Sequence, residues 1–411
     1  MLPKMLPNST ALRVLAVSIL LAACSPLITT PGLRSASPVL LQKQSSGPAI
    51  DDSELSSPLK ANLLPQIEQE ATRREGNQLV FRAVPLSRQG QRPLNSSRLD
   101  VQGQFNYYDL QGQLQPAANT TVALYQGSRK VGQVLTSSDG RWSMAAPAPG
   151  NYQVRYSFAN PRWNIERYSW DGPQVSVQGA VDTGAYTLEK GSKNAEAAFI
   201  HDVYNRALRL FEREQMDLSW WSHTIKTVWP GSGDYYSFYT VNLTGAQQWD
   251  VNGHEIGHAI YDQALNANST GGQHKIDECY NGTLAFSEGF ATFFSGAVHL
   301  ERNDEDARFG PYLVPRRAPI RMENTPADVC PGNRNEWRVS SVLWDVYDTH
   351  ADGADQFSLS LKEIFSLFAQ TNKPAINSAL DAYQLLKERT PAEARPVLRQ
   401  IFEQNTMEVK D

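Results

Sequence analysis

Around Lys190-Gly191 the spacing of apolar residues switches from two to about 3.6, so sheet should precede this point and helix follow it. Upstream, Leu99, Val101 and Phe105 lie in one extended segment and Thr121–Tyr125 in a second. Asp139-Gly140 separates Gln133–Thr136 from Arg141–Met144, a strong hairpin signal. Tyr152, Val154 and Tyr156 then alternate with polar neighbours. Short strands with turn residues every roughly 8–12 positions predict a small all-β sandwich over 95–190. Downstream, Ala198, Phe199, Val203, Leu208, Leu210 and Phe211 recur at helical spacing. A mainly helical α+β domain is expected over 191–411. It should carry one strand at 235–244 (YYSFYTVNLT), at a sheet edge or inside the sheet, and a loop-rich stretch at 301–335.

Composition leaves room for this multidomain plan. The chain has 411 residues, 41% of them apolar and 20% charged, enough for two or three domains and unlike a disordered chain. A formal net charge of −5 excludes a strongly basic footprint, so no nucleic-acid partner is expected.

Residues 11–23 form an apolar run preceded by Lys4 and interrupted by Arg13, too short to span a bilayer comfortably. A basic start, a short apolar centre and small residues at its end describe a secretory signal peptide over 1–23. Leu21-Ala-Ala-Cys24 resembles the bacterial lipobox, which implies cleavage before Cys24 and lipidation of its thiol. The resemblance implies a lipid-anchored, extracytoplasmic protein of the bacterial cell envelope. Residues 24–94, rich in Ser, Pro and Gln without sustained period, read as a tether. With Cys24 acylated, Cys279 and Cys330 remain as an even pair in an oxidising compartment. A disulfide between them would close a loop worth about 4 kcal/mol; the alternative is two unrelated buried thiols.

Residues 254–258 read His-Glu-Ile-Gly-His. Two histidines four apart share one helix face, so both imidazoles can reach one ion. Glu255 stands one residue round, near that ion without ligating it, and is placed to act as general base. Asp250 and Asn252 are cap-like, and Ala259-Ile-Tyr261 continues the apolar face. Catalytic zinc takes three protein ligands and keeps one position for water. The third ligand is expected from Glu288, which opens a helical-looking apolar stretch. Glu278, beside Cys279 in a loop, and the distant His274 or His299 are the alternatives.

These motifs resemble known families. "VALYQG", "TSSDGRW" and "GNYQVRYSF" are similar to transthyretin-like or carboxypeptidase-regulatory-like modules. His254–His258 with Ser287-Glu-Gly-Phe-Ala-Thr-Phe293 resembles the gluzincin metallopeptidases, and Asn335–Asp348 resembles the fungalysin-like helix ending in Leu-Trp-Asp. The likeness covers roughly 195–350. It implies a zincin domain with one catalytic Zn2+ on His254, His258 and Glu288. Two departures stand out. The interval from His258 to Glu288 is longer than in thermolysin-like members. Thr292, a weaker and uncharged acceptor, stands where those enzymes place an Asp that orients a ligand histidine, so that partner is expected from Thr292 itself or, differently, from Asp250 or Asp345.

The implied chemistry is peptide-bond hydrolysis, with water activated by zinc and its proton taken by Glu255. An oxyanion donor is also needed, and Tyr347, His350 and Arg338 are candidates in or after the Leu-Trp-Asp helix. The expected partners are a peptide or protein substrate and, through the anchor, a membrane. No acidic anchor for a free amine precedes His254, which favours an endopeptidase over an aminopeptidase. A rival class is a non-catalytic, zinc-stabilised surface-binding lipoprotein.

Overall fold

A computed structural model describes residues 92–94, 99–314, 317–350 and 356–410. The signal peptide, Cys24 and the tether up to residue 91 lie outside the described residues. The described chain forms fourteen strands, nine of them before the first helix, and seven helices, an α+β arrangement with mixed sheets.

Two sheets dominate the first part. One runs β1(Arg92–Leu94), β9(Ala180–Thr187), β2(Asp100–Tyr108), β3(Leu114–Pro116), with β6(Arg141–Ala145) also on β2. The other runs β11(Tyr235–Ser237), β12(Thr240–Asn242), β10(Ile225–Val228), β8(Trp163–Val177), β7(Gly150–Ala159), β4(Thr121–Gln126), β5(Arg129–Leu135). The period-two signal holds in β7, where Tyr152, Val154, Tyr156 and Phe158 are all buried. Their aromatic rings meet the other sheet: Tyr156 stacks on Tyr186 at 4.8 Å and lies 4.7 Å from Phe105. Burying such rings is the main gain in joining two half-polar sheets.

The larger sheet does not stop at the change of period. β10 pairs in parallel with β8, and β12 with β10, so residues 225–242 extend a sheet begun before residue 190. Arg92–Leu94, at the end of the expected tether, are a strand of the smaller sheet. The segment 235–244 is a hairpin rather than one strand: Phe238 and Tyr239 take positive φ and turn β11 back on β12. β11 lies at the sheet edge.

Seven helices follow: α1(Lys193–Arg213), α2(Trp249–Ala264), α3(Gly282–His299), α4(Glu336–Tyr347), α5(Leu361–Phe368), α6(Ala379–Arg389) and α7(Arg395–Gln404). Helix α1 touches both regions. Its Tyr204 stacks on Trp163 of β8, while Phe211 packs on Phe294 of α3 and Phe365 of α5. The buried apolar residues of sheets and helices accordingly form one continuous core, and all described residues fall in a single compact unit. Among the described residues no helix is long and apolar enough to cross a membrane.

Helices α2 and α3 approach closely because α2 offers glycine at 253 and 257. A Cβ at Gly257 would sit 3.0 Å from the Cα of Ala291, and one at Gly253 would sit 2.5 Å from Ser295 Oγ. These glycines flank His254 and His258, so the same face that admits α3 carries the two imidazoles toward it.

Candidate metal centre

His254 and His258 come from α2 and Glu288 from the second turn of α3, whose start is capped by Asn281 through Leu284 N–H. His254 Nε2 lies 3.1 Å from His258 Nε2 and 3.1 Å from Glu288 Oε2, and His258 Nε2 lies 3.0 Å from that same oxygen. Among the described residues this is the group of three such side chains that could hold a metal ion. Ligand atoms about 2.0–2.1 Å from a tetrahedral zinc stand roughly 3.3 Å apart, close to these separations.

The hydrogen bonds behind His254 test the fit. Thr292 Oγ donates its one proton to Glu336 Oε1 at 2.6 Å. It can therefore only accept from His254 Nδ1, 3.0 Å away, so the ring carries its proton on Nδ1. In the neutral ring the lone pair is then on Nε2, which faces His258 and Glu288. Two imidazole nitrogens and a carboxylate oxygen are a set zinc accepts, with the outer partner that orients a ligand histidine also present.

Electrostatics follow from burial and convergence. Burial pushes the Glu288 carboxyl up, but the two imidazoles outweigh it and hold the group well below the usual carboxylate range. Burial pulls the His258 ring down, and Glu288 more than restores it. Glu255, next along the helix and buried, has its carboxyl raised by burial against the pull of His254 and His258. A carboxylate so placed is a stronger base than one in water.

Two members of this neighbourhood did not emerge from the sequence with these roles. Glu336 opens α4 and is buried; one oxygen takes Thr292, and the other lies 3.2 Å from His274 Nε2. His274 Nε2 is also 3.3 Å from Glu288 Oε2. Burial lowers this ring, but the hydrogen bond and charge of Glu336, with the charge of Glu288, push it up to about 10. The loop around His274 is tied to the start of α4. Asn335 Nδ2 donates to the carbonyls of Ile276 and Glu278, Tyr280 N–H donates to Arg334 O, and Cys279 is disulfide-bonded to Cys330. Thr292 in place of an acid was the available signal that a charge had to come from elsewhere; Glu336 supplies it.

The remaining expected residues stand apart from the His–His–Glu group. Asp250 is not a cap, since α2 starts at Trp249; its carboxylate accepts the amides of Tyr312 and Leu313, each at 2.8 Å. Asn252 donates to Ala246 O. Asp345 accepts from Asn405 at 2.8 Å. Glu278 takes Lys275 and the Tyr280 hydroxyl, and His299 packs on Trp249 with Nδ1 toward Ser295 O. Tyr347 is buried edge-on to Phe293 and Trp344, with the Arg302 guanidinium over its ring. The His350 backbone N–H donates to Asp348, and Arg338 donates to the carbonyls of Cys330, Val329 and Pro326.

Among solved structures, the chain is similar to Klebsiella pneumoniae 5-hydroxyisourate hydrolase (15% identity, 23% of this chain, 91% of that one, TM-score 0.18). It is also similar to a 9R-lipoxygenase from Cyanothece (14% identity, 40% of this chain, 30% of that one, TM-score 0.15). No curated protein matches the chain at a significant level. Residues 206–390 match the family model of the mycolysin C-terminal domain, a stretch that holds His254, Glu255, His258, His274, Glu288 and Glu336. That match points to a metallopeptidase-related family for the segment carrying the His–His–Glu group.

Proposed function

We propose that this chain is a zinc-dependent peptidase, cleaving within peptide or protein substrates, and that it is held on the extracytoplasmic side of the bacterial cell envelope by lipid on Cys24. In this reading residues 95–190 are a β-sandwich of transthyretin-like type and 191–411 a zincin catalytic domain joined to it through the larger sheet. The observation that carries the reading is the meeting of His254 Nε2, His258 Nε2 and Glu288 Oε2 within 3.1 Å, beside a buried Glu255.

His254, His258 and Glu288 would hold the ion. When bound, zinc supplies a Lewis acid that makes water more acidic and polarises the scissile carbonyl. Glu255 takes the proton of the attacking water on its carboxylate and passes it to the departing amine. Thr292 and Glu336 keep the His254 ring in the tautomer that presents Nε2. The exposed edge of β11 can take a substrate strand by backbone pairing.

The test is metal analysis of the full chain together with casein cleavage with and without a chelator, repeated on Glu255→Gln. The parent should hold one zinc per chain and lose cleavage on chelation. The variant should keep its zinc and lose about 10²–10⁴-fold in kcat. Normal cleavage by Glu255→Gln would remove the assignment. The 3.3 Å approach of His274 to Glu288 favours one second reading, a zinc site closed by four side chains in a binding protein. In that case the zinc-loaded parent would cleave nothing.

A further inference from the structure

We infer that the tip of the β11–β12 hairpin, with the Phe238 ring at its head, is an aromatic subsite that takes a large apolar side chain of an extended peptide on the N-terminal side of the scissile bond. The inference rests on the peptidase reading above and adds to it the place where substrate sequence is read.

Three observations carry it. The first is a residue that costs the fold and returns nothing to it. Ser237 pairs with Thr240, so Phe238 and Tyr239 are the two residues of a tight turn, with φ of 44° and 59°. Such a turn favours Asn-Gly, because in the left-handed region a side chain crowds the following carbonyl. Two aromatic residues stand there instead. Phe238 is also 91% exposed, against 46% for Tyr235 on the same hairpin. A ring held in a strained turn and left in water adds nothing to the core, so its use lies in what it meets outside the chain.

The second is that the tip is rigid. The Tyr236 hydroxyl accepts the Tyr239 N–H at 3.1 Å and donates to Asp262 Oδ2 at 2.5 Å. The His223 ring stacks on Tyr239 at 4.3 Å with 8° between the planes, and the His223 N–H donates to Gln263 Oε1 at 2.9 Å. An aromatic side chain presented on a backbone already fixed loses little freedom when a ligand arrives.

The third is where the tip sits. Asp262 follows His258 by four residues on α2, so Tyr236 is tied to the helix side that carries the imidazoles, one turn further on. Asp234, at the other end of β11, accepts the N–H and hydroxyl of Thr244, and its charge is felt at Glu255. Strand β11 therefore runs beside the metal-bearing helix from the general base toward the tip. A substrate pairing antiparallel on its free edge puts its N-terminal part at Phe238. Four residues from Asp234 to Phe238 cover about 13 Å, which sets the contact about three or four residues before the scissile bond. This tie to α2 favours a peptide over a bilayer as the occupant.

The experiment digests casein with the zinc-loaded full chain and with its Phe238→Asn and Phe238→Leu variants, and reads the cleavage sites by mass spectrometry. Asn suits a positive φ, so Phe238→Asn should unfold at the parent's temperature or above it. The parent's sites should be enriched about threefold to tenfold in Phe, Tyr, Leu or Met three or four residues before the cut, the range that a ring contact supplies. Phe238→Asn should lose that enrichment and Phe238→Leu should keep part of it. Binding to phosphatidylcholine–phosphatidylglycerol vesicles is measured alongside. An active parent without the enrichment, or a Phe238→Asn variant that keeps it, overturns the inference and leaves the peptidase reading intact. Vesicle binding that this variant loses while its cleavage sites stay the same puts the tip in lipid and also overturns the inference. A lower unfolding temperature for Phe238→Asn does so too, since the ring would then serve the fold. A zinc-loaded parent that cleaves nothing removes the peptidase reading itself.

Discussion

Two sets of buried histidines in this protein look alike by burial and differ in what surrounds their nitrogens. His201 lies between sheet and helix, fully buried. The indole N–H of Trp163 donates to its Nδ1 at 3.1 Å, and its Nε2 donates to Ala118 O at 2.7 Å. One donor and one acceptor saturate a neutral ring, and burial drives its pKa down to about 4. His254 is buried and His258 largely so, but their Nε2 atoms converge on each other and on one carboxylate oxygen. The first set is satisfied by the fold. The second points three possible ligand atoms at one place, which is the difference between a core histidine and a candidate ligand.

Three measurements break or sharpen that contrast, and the largest effect falls on the ligands. A structural zinc site binds with roughly 10–16 kcal/mol, so one of about four ligands contributes about 3–4 kcal/mol. Glu288→Ala should therefore weaken zinc binding by at least about 10²-fold in a chelator competition. His201→Leu should leave zinc binding unchanged. Equal zinc loss in both variants would erase the distinction.

The next effect is on acid stability and belongs to His201. Its folded pKa of about 4 lies below the unfolded 6.5, so the unfolded state takes up the proton first. The stabilisation is whole above pH 6.5 and is lost as pH falls toward 4, amounting to about 3 kcal/mol. Asp250, drawn up to about 7 by burial, works in the opposite sense over the same range. The difference between the parent and His201→Leu therefore isolates the histidine. Urea unfolding at pH 7 and pH 4.5 should show a drop in the parent that the variant lacks. Identical pH slopes would mean His201 is protonated in the fold.

The smallest effect tests the hydroxyl between His254 and Glu336. Thr292→Val removes it while keeping the side-chain shape. Losing such an outer partner typically costs 10–100-fold in metal affinity, and that is the loss expected in the same chelator competition. Thr292→Ser should restore most of it. Unchanged affinity in the valine variant would show that the tautomer of His254 is set in another way.

The legible parts of this site were those separated by few residues. His254, Glu255 and His258 declare themselves because four residues make one helical turn, and the apolar run after Glu288 declares its helix. The Cys279–Cys330 bridge was legible by counting. Thr292 marks a missing charge, yet the acids that its helix pattern suggests, Asp250 and Asp345, are both occupied elsewhere. Glu336 resembled an ordinary first-turn acid complementing a helix dipole. Nothing in its neighbours reveals that it faces Thr292 across 44 residues of chain.

The same boundary runs through the fold. By itself the sequence determined the change from strand to helix near residue 190 and the helix bearing two imidazoles on one face, since both depend on periods of two to four residues. Only the tertiary structure decided that β10 and β12 continue a sheet begun before that boundary, that 235–244 folds back as a hairpin, and that Glu336 and His274 meet beside Glu288. Those pairings are chosen by burial and by hydrogen-bond partners brought together from distant segments, and no local spacing encodes which distant partner will be there.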